Sequence, residues 1–429
     1  MAELKTGDVI HLINGKTCTI ICELGRGGQG IVYKVNYDGG EYALKWYIQK
    51  YKDAFYDNLK SNVEIGAPND HFLWPIALSN REKGSFGYIM KLRPAGYEEV
   101  GSFILVKTRF SSIDALINAA MQICTAFQQL HIKGLSYQDM NDGNFFINPH
   151  TGDVLICDND NVAPDRINMG IVGKTGYMAP EIVEKETMPN RHSDYFSLAV
   201  VLFILFYMNR PFDGLRATRI PCFTEEAERK LYGKNCVFIM DPNDTSNHPV
   251  AGLHTNVIRR WPLFPRVLRE AFIKTFSKEA IQNPMKRVID KEWQVILTQL
   301  RSQWVQCPHC GRMTFLDLSY TATKCIECGK PIVKPKEIKV GNYNIPILPG
   351  QKIYSSQISY TTDLNKVAGT VIVNKNDGVR IGIHNISGED WTVTTASGTT
   401  HIVHHEGAMP VLADAQIRFN KNFRGRIIN

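Results

Sequence analysis

The chain has 429 residues, which at about 100–200 residues per domain leaves room for two to four units and excludes one small core. Apolar residues make up 44% and charged residues 21%, with no low-complexity tract, so a disordered tail is excluded as well. The formal charge of +7 is the balance of 49 basic and 42 acidic residues; it contains no block of five like charges and is too dilute to argue for nucleic acid as a partner.

The opening MAELKTGDVI puts acidic and polar residues where a secretory signal needs an apolar core, so the expected compartment is the cytoplasm. The longest apolar run, 198–208, is 11 residues, short of the roughly 20 that span a bilayer; it reads as a buried core helix, with no membrane partner.

In chain order, the first texture alternates strand-like runs with glycine turns: 20–24, 31–35, 41–47 and 88–92. This predicts an antiparallel sheet. Within it Phe55, Leu59 and Val63 recur at i, i+4, i+8, the stripe of one helix lying on that sheet. From 113 onward Ile113, Leu116, Ile117, Ala120, Ile123, Cys124, Phe127 and Leu130 keep the 3.6-residue period, with Ser111 or Ser112 as the cap. Helical texture continues to Trp304. Beyond the linker-like stretch 330–336 the pattern alternates again, through Val371, Val373; Val379, Ile381, Ile383; Trp391, Val393; and Ile417, Phe419. Turn signals recur about every ten residues there, which predicts a β-sandwich.

The chemistry sits in the first two textures. Gly25-Arg26-Gly27-Gly28-Gln29-Gly30 lies between two strand-like runs, so its backbone N–H groups can approach phosphates with no Cβ in the way; alone it is equally a hairpin turn. Lys45 follows on the next strand, and Glu64, the only glutamate between positions 42 and 81, follows on the helix. Without context both would be surface charges. Asp139 has an asparagine, Asn144, five residues on, and Asp158 lies fourteen beyond that. This is the layout for one base and two Mg²⁺ ligands around a triphosphate. Ala179-Pro180-Glu181 completes the order.

With these motifs in place, the sequence over residues 15 to about 300 resembles the protein-kinase family. The resemblance implies an α+β, two-lobed kinase fold, with an N-terminal lobe over 8–92 and a C-terminal lobe over 93–304. It implies that Gly25, Gly27 and Gly30 cover the phosphates of ATP, that Val32 and Ala43 wall the adenine, and that Lys45 holds the α and β phosphates while paired with Glu64. Met90, Lys91 and Leu92 match the strand-to-hinge segment, and Phe146 would floor the adenine. Asp139 would orient a substrate hydroxyl, with Asn144 and Asp158 as Mg²⁺ ligands. Glu181 would pair with Arg287, and Asp194 would anchor the catalytic-loop backbone. The reaction implied is transfer of the γ-phosphoryl of ATP to protein serine or threonine. The rival is a silent nucleotide-binding scaffold that recruits partners through its tail; a small-molecule phosphotransferase is a third possibility. The wording of Gly66-Ala67-Pro68, Phe72-Leu73-Trp74-Pro75 and Cys157-Asp158-Asn159-Asp160-Asn161 resembles bacterial kinases associated with tellurite resistance. Those kinases imply a metal-dependent phosphatase and a von Willebrand-type domain protein as partners.

Several positions depart from the family. Tyr137-Gln138 replaces the usual His-Arg before the catalytic aspartate, so no arginine waits for an activation-loop phosphate. Asn159-Asp160 replaces the usual Phe-Gly, and Asn141 stands for the catalytic-loop lysine. Lys174 falls where a threonine usually lies, so its ammonium could take over the work of the missing lysine; alternatively Thr175 is that threonine and Lys174 faces solvent.

Cys307, Cys310, Cys325 and Cys328 form two CxxC knuckles, each followed by glycine. The spacing predicts a Cys₄ zinc ribbon over 305–332, with a closed and therefore structural Zn²⁺; disulfides are the alternative. The tail over 338–429 resembles a forkhead-associated sandwich in Gly382 to Ser387 and Ala415 to Phe419. Gly350-Gln351 departs from that family's Gly-Arg start, so a structural or protein-docking sandwich stands beside a phosphothreonine reader.

Overall fold

The computed structural model describes residues 3–170, 173–374 and 377–429. They form two compact units, one of Met1–His254 with Lys274–Asp290 and one of Thr255–Ile273 with Lys291–Asn429. The expected boundary near 304 therefore falls differently, since helical segments assigned to the C-terminal lobe group with the ribbon and sandwich.

The first unit opens on an antiparallel sheet of six strands: β1 (Val9–His11), β2 (Thr17–Arg26), β3 (Gly30–Tyr37), β4 (Gly40–Tyr47), β5 (Ala77–Leu78) and β6 (Gly87–Lys91), in the order β1-β2-β3-β4-β6-β5. β3 and β4 are joined by Asp38 and Gly39, with φ of 52° and 77°. This two-residue turn with both φ positive matches the right-handed twist of the hairpin. One helix, α1 (Asp53–Ile65), buries Phe55, Asn58, Leu59 and Asn62. The expected stripe is kept, with Val63 half-buried against the cluster that holds Phe55 and Leu59, and Asn58 and Asn62 share the buried face.

The helix Ile113–Ile132 starts as expected, with the Ser112 hydroxyl accepting the Ala115 N–H at 3.1 Å. The helix Arg191–Tyr207 is buried continuously from Ser193 to Tyr207, which accounts for its all-round apolar sequence. Among the described residues no helix is long and apolar enough to cross a membrane.

In the second unit two short hairpins, Trp304–Gln306 with Met313–Phe315 and Ala322–Lys324 with Pro331–Val333, carry the cysteine knuckles. Gly311 and Gly329 hold φ of 72° and 69°, the left-handed backbone the glycine after each knuckle permits. The tail is a sandwich of a six-stranded and a four-stranded antiparallel sheet. Ile338, Ile353, Val371, Ile383, Trp391 and Ile417 lie in its core. Val379 is 78% exposed and precedes the strand Ile381–Asn385; its N–H bonds the Asp377 carboxylate in a turn.

Candidate active site

β2, β3 and β4 carry most of the residues expected to face the nucleotide. A Cβ on Gly30 would come within 2.5 Å of the Trp46 carbonyl oxygen, so the protein itself demands glycine there. Gly25 and Gly28 have no neighbour within 4 Å of such a Cβ, and Gly27 meets only the Gly30 carbonyl at 4.0 Å. The loop thus leaves room above the sheet, as a phosphate cradle requires. Ala43 and Met90 are buried, and Val32 and Leu92 half-buried, in one apolar cluster that also holds Cys157. Phe146 is buried on the strand Phe145–Ile147, with the Arg93 guanidinium 3.9 Å over its ring centroid.

Lys45 is 5% exposed. Its Nζ lies 2.9 and 3.1 Å from the two carboxylate oxygens of Asp160, 3.2 Å from Asp158 Oδ1 and 3.3 Å from Gln29 Oε1. Burial works against the ammonium, but the Asp160 and Asp158 carboxylates outweigh it and raise its pKa. The expected pair with Glu64 is not the one formed. Glu64 is exposed, two residues past the buried Asn62 and therefore about 200° around the helix from it.

The loop of the expected catalytic aspartate is held from several sides. Asp194 accepts the Tyr137 N–H at 2.8 Å and lies 3.1 Å from His131 Nε2, whose Nδ1 is 2.8 Å from Asp290. Burial opposes a charge on His131, but the two aspartates push its pKa up to about 9. The Tyr137 hydroxyl donates to the Cys157 carbonyl, which ties this loop to the segment bearing Asp158. Gln138, with a φ of 68°, donates its side-chain amide to the Ile167 carbonyl at 2.6 Å. The family's arginine is thus replaced by a neutral clamp, and residues 159–174 contain no serine, threonine or tyrosine.

Asp139 is half-buried. Its Oδ1 accepts the Asn141 amide at 3.1 Å and the Lys174 backbone N–H at 3.3 Å. Burial pushes its pKa up, and these two donors offset part of that. Asn144 donates Nδ2 to the Asp139 carbonyl at 2.8 Å, so its Oδ1 is the atom left for a hard cation. The Cys157 N–H bonds the Asn144 carbonyl at 3.0 Å. Asp158 has a left-handed φ of 53°, and burial raises its carboxyl pKa against the pull of Lys45. The Lys174 ammonium sits 2.7 Å from Asp142, whose carboxyl it holds low despite burial. The Thr175 hydroxyl donates to Glu228 at 2.9 Å.

Glu181 and Arg287 make the pair the motif suggested. Two bonds of 2.7 and 2.8 Å join them, and Arg287 also donates to the His192 and Ala280 carbonyls at 2.9 and 3.2 Å.

In the second unit the sulfur atoms of Cys307, Cys310, Cys325 and Cys328 all lie within 4.8 Å of one another. Two of the separations are 3.9 and 3.8 Å, Cys307 to Cys328 and Cys310 to Cys325. Four thiolates at about 2.3 Å from a tetrahedral ion would stand about 3.8 Å apart. The His309 and Glu327 N–H groups each point at a cysteine sulfur, at 3.4 Å. The donor set and its spacing suit a closed metal site.

Residues the sequence did not single out are Asp160, Tyr47, Tyr88 and Gln29. The one signal for them was the second carboxylate in Asp158-Asn159-Asp160.

These arrangements define a class. The protein kinase domain family matches residues 18–235, just over half of the chain, and the chain belongs to that family. It is similar to a probable serine/threonine-protein kinase of Dictyostelium discoideum, 23% identical over 228 residues, 49% of this chain and 16% of that protein. Serine/threonine-protein kinase 10 of Xenopus tropicalis is 26% identical over 47% of this chain and 22% of its own length. Beta-adrenergic receptor kinase 1 of Mesocricetus auratus is 28% identical over 44% and 28%. The chain therefore spans under a third of each of these relatives.

Proposed function

We propose that the protein is an ATP-dependent serine/threonine protein kinase acting on protein hydroxyls. The observation that carries this is one bonded cluster: Asp139 and Asn144 joined through a carbonyl, Asn144 joined to the segment of Asp158, and Lys45 reaching that aspartate from the sheet. Gly25, Gly27 and Gly30 cover the phosphates, with Val32, Ala43, Met90, Leu92 and Phe146 around the adenine. Mg²⁺ would be held by Asn144 and Asp158 and would neutralise the phosphate oxygens. Asp139 orients the attacking hydroxyl. Incubation with labelled ATP, Mg²⁺ and a generic protein tests this: transfer supports it, and binding of ATP without transfer points to the silent scaffold instead.

Lys174 belongs to the same proposal. Its N–H and ammonium grip Asp139 and Asp142, one on each side of the Asn141 that stands for the usual lysine, so on substrate entry the ammonium is placed to meet the γ-phosphoryl. Lys174→Ala is expected to lower turnover by about tenfold or more with ATP affinity little changed, as loss of one charge-stabilising contact would. Asn141→Lys should restore part of it. Normal turnover in Lys174→Ala would remove this lysine from the mechanism.

The second-unit cysteines are assigned a structural Zn²⁺. Since a closed Cys₄ site couples metal binding to local folding, elemental analysis should find about one zinc per chain, lost in a Cys307→Ser, Cys325→Ser double variant. A wild-type protein free of zinc would refute this. The sandwich is proposed as a protein-docking module of forkhead-associated type, and the setting as a bacterial cytoplasm. By the tellurite-resistance resemblance, the partners are a metal-dependent phosphatase and a von Willebrand-type domain protein.

A further inference from the structure

We infer that Asp160, and not Glu64, positions Lys45 for the nucleotide, so that the lysine is set by the turn that carries Asp158 and not by helix α1. The inference rests on the kinase reading above. An ammonium has three protons, and Lys45 directs them at Asp160, Asp158 and Gln29, so its donors are used without the helix.

Asp160 is itself fixed. It is 1% exposed; its Oδ2 accepts the Tyr47 hydroxyl at 2.6 Å and its Oδ1 the Tyr88 hydroxyl at 3.4 Å. The sheet geometry makes this convergence possible. Lys45 and Tyr47 are two apart on β4 and share a face, and the β4–β6 register places Tyr88 directly opposite Lys45. Three neighbouring side chains thus close on one carboxylate.

Helix α1 is anchored in another way. Its buried polar residues are amides: Asn58 and Asn62 both donate to the Val162 carbonyl, at 2.8 and 3.0 Å. These bonds fix the helix to the chain just past the Asn159–Asn161 turn and carry no charge to Lys45. Asp158 and Asp160 flank a single residue of that turn, so the metal-facing carboxylate and the lysine's partner move as one piece. When a nucleotide arrives, its phosphates can replace the longer Asp158 contact while Asp160 keeps the ammonium aimed.

The test compares Asp160→Asn with Glu64→Gln, by calorimetric titration with ATP and Mg²⁺ and by turnover on a generic protein. Asp160→Asn should bind ATP about fivefold or more weakly and turn over about tenfold or more slowly. The KM for the protein substrate should stay unchanged, a split that a merely structural role would not produce. Glu64→Gln should stay within about twofold of wild type in both. Tyr47→Phe, which keeps the carboxylate but removes one of its anchors, should show a smaller loss of ATP affinity and decides the matter if Asp160→Asn does not fold. ATP affinity within twofold of wild type in the Asp160 variant (or, if that does not fold, in Tyr47→Phe), or an equal loss in Glu64→Gln, would overturn the inference. A wild-type protein that binds no ATP would instead overturn the kinase reading. One that binds without transfer leaves the affinity comparison to decide for Asp160.

Discussion

Asp139→Ala is expected to cut phosphoryl transfer by about a thousandfold, within the 10² to 10⁴ range that a positioned base contributes, with ATP affinity near wild type. The carboxylate is aimed by the Asn141 amide and the Lys174 N–H, while Asp194 and the Tyr137 hydroxyl hold the loop beneath it. Of the neighbouring described carboxylates, Asp142 is engaged by Lys174 and Asp158 by Lys45. Because burial raises the pKa of Asp139, the carboxylate is lost at a higher pH than for an ordinary aspartate, and turnover should fall on the acid side from that higher pH. Steady-state rates at saturating ATP from pH 4 to 8 check both points. Turnover that survives the substitution would leave Asp139 without its role.

The largest effect on stability is expected at Arg287. Its side chain is fully buried, that of Glu181 is 8% exposed, and they form a two-pronged pair. Arg287→Ala strands a buried carboxylate and removes donors from the Ala280 and His192 carbonyls, a loss of about 3–5 kcal/mol. The pair as a whole is a smaller asset, because both charges were taken out of water. Replacing both, Glu181→Leu with Arg287→Met, should therefore recover much of the stability. Urea unfolding of the single and double variants measures the difference. A single variant within about 1 kcal/mol of wild type would contradict this account.

What the sequence disclosed and what it withheld separate along physical lines. Motifs whose spacing is enforced by a local turn were legible: the glycines before β3, the aspartate and asparagine of the catalytic loop, the cysteine knuckles, and the Ser112 cap. The long-range pair Glu181 with Arg287 was also legible, since each residue sits in its own recognisable segment. The partner of Lys45 was not. Choosing Glu64 followed the family's pairing, whereas the stripe of Phe55, Leu59 and Val63 packs inward with Asn58 and Asn62 beside it and leaves Glu64 exposed. Asp160 looked like a departure because a carboxylate becomes a lysine anchor only when β4 and β6 bring two tyrosine hydroxyls to it. The unit boundary was hidden for a related reason: helical periodicity runs through 255–302 without showing which core each helix serves.

That boundary has a consequence for how the protein could have been assembled. The backbone passes from one unit to the other after His254, returns after Ile273 and leaves again after Asp290. Phe264 packs on Phe315, the Arg266 N–H bonds Asp317, and Gln299 and Ser302 bond Asn344 and Gln351. The ribbon and sandwich are therefore not a cassette appended at one point. Their foundations are threaded through what would otherwise be the closing helices of the kinase lobe. A recombination event that swapped the tail at a single joint near residue 304 would part those helices from the segments they bond.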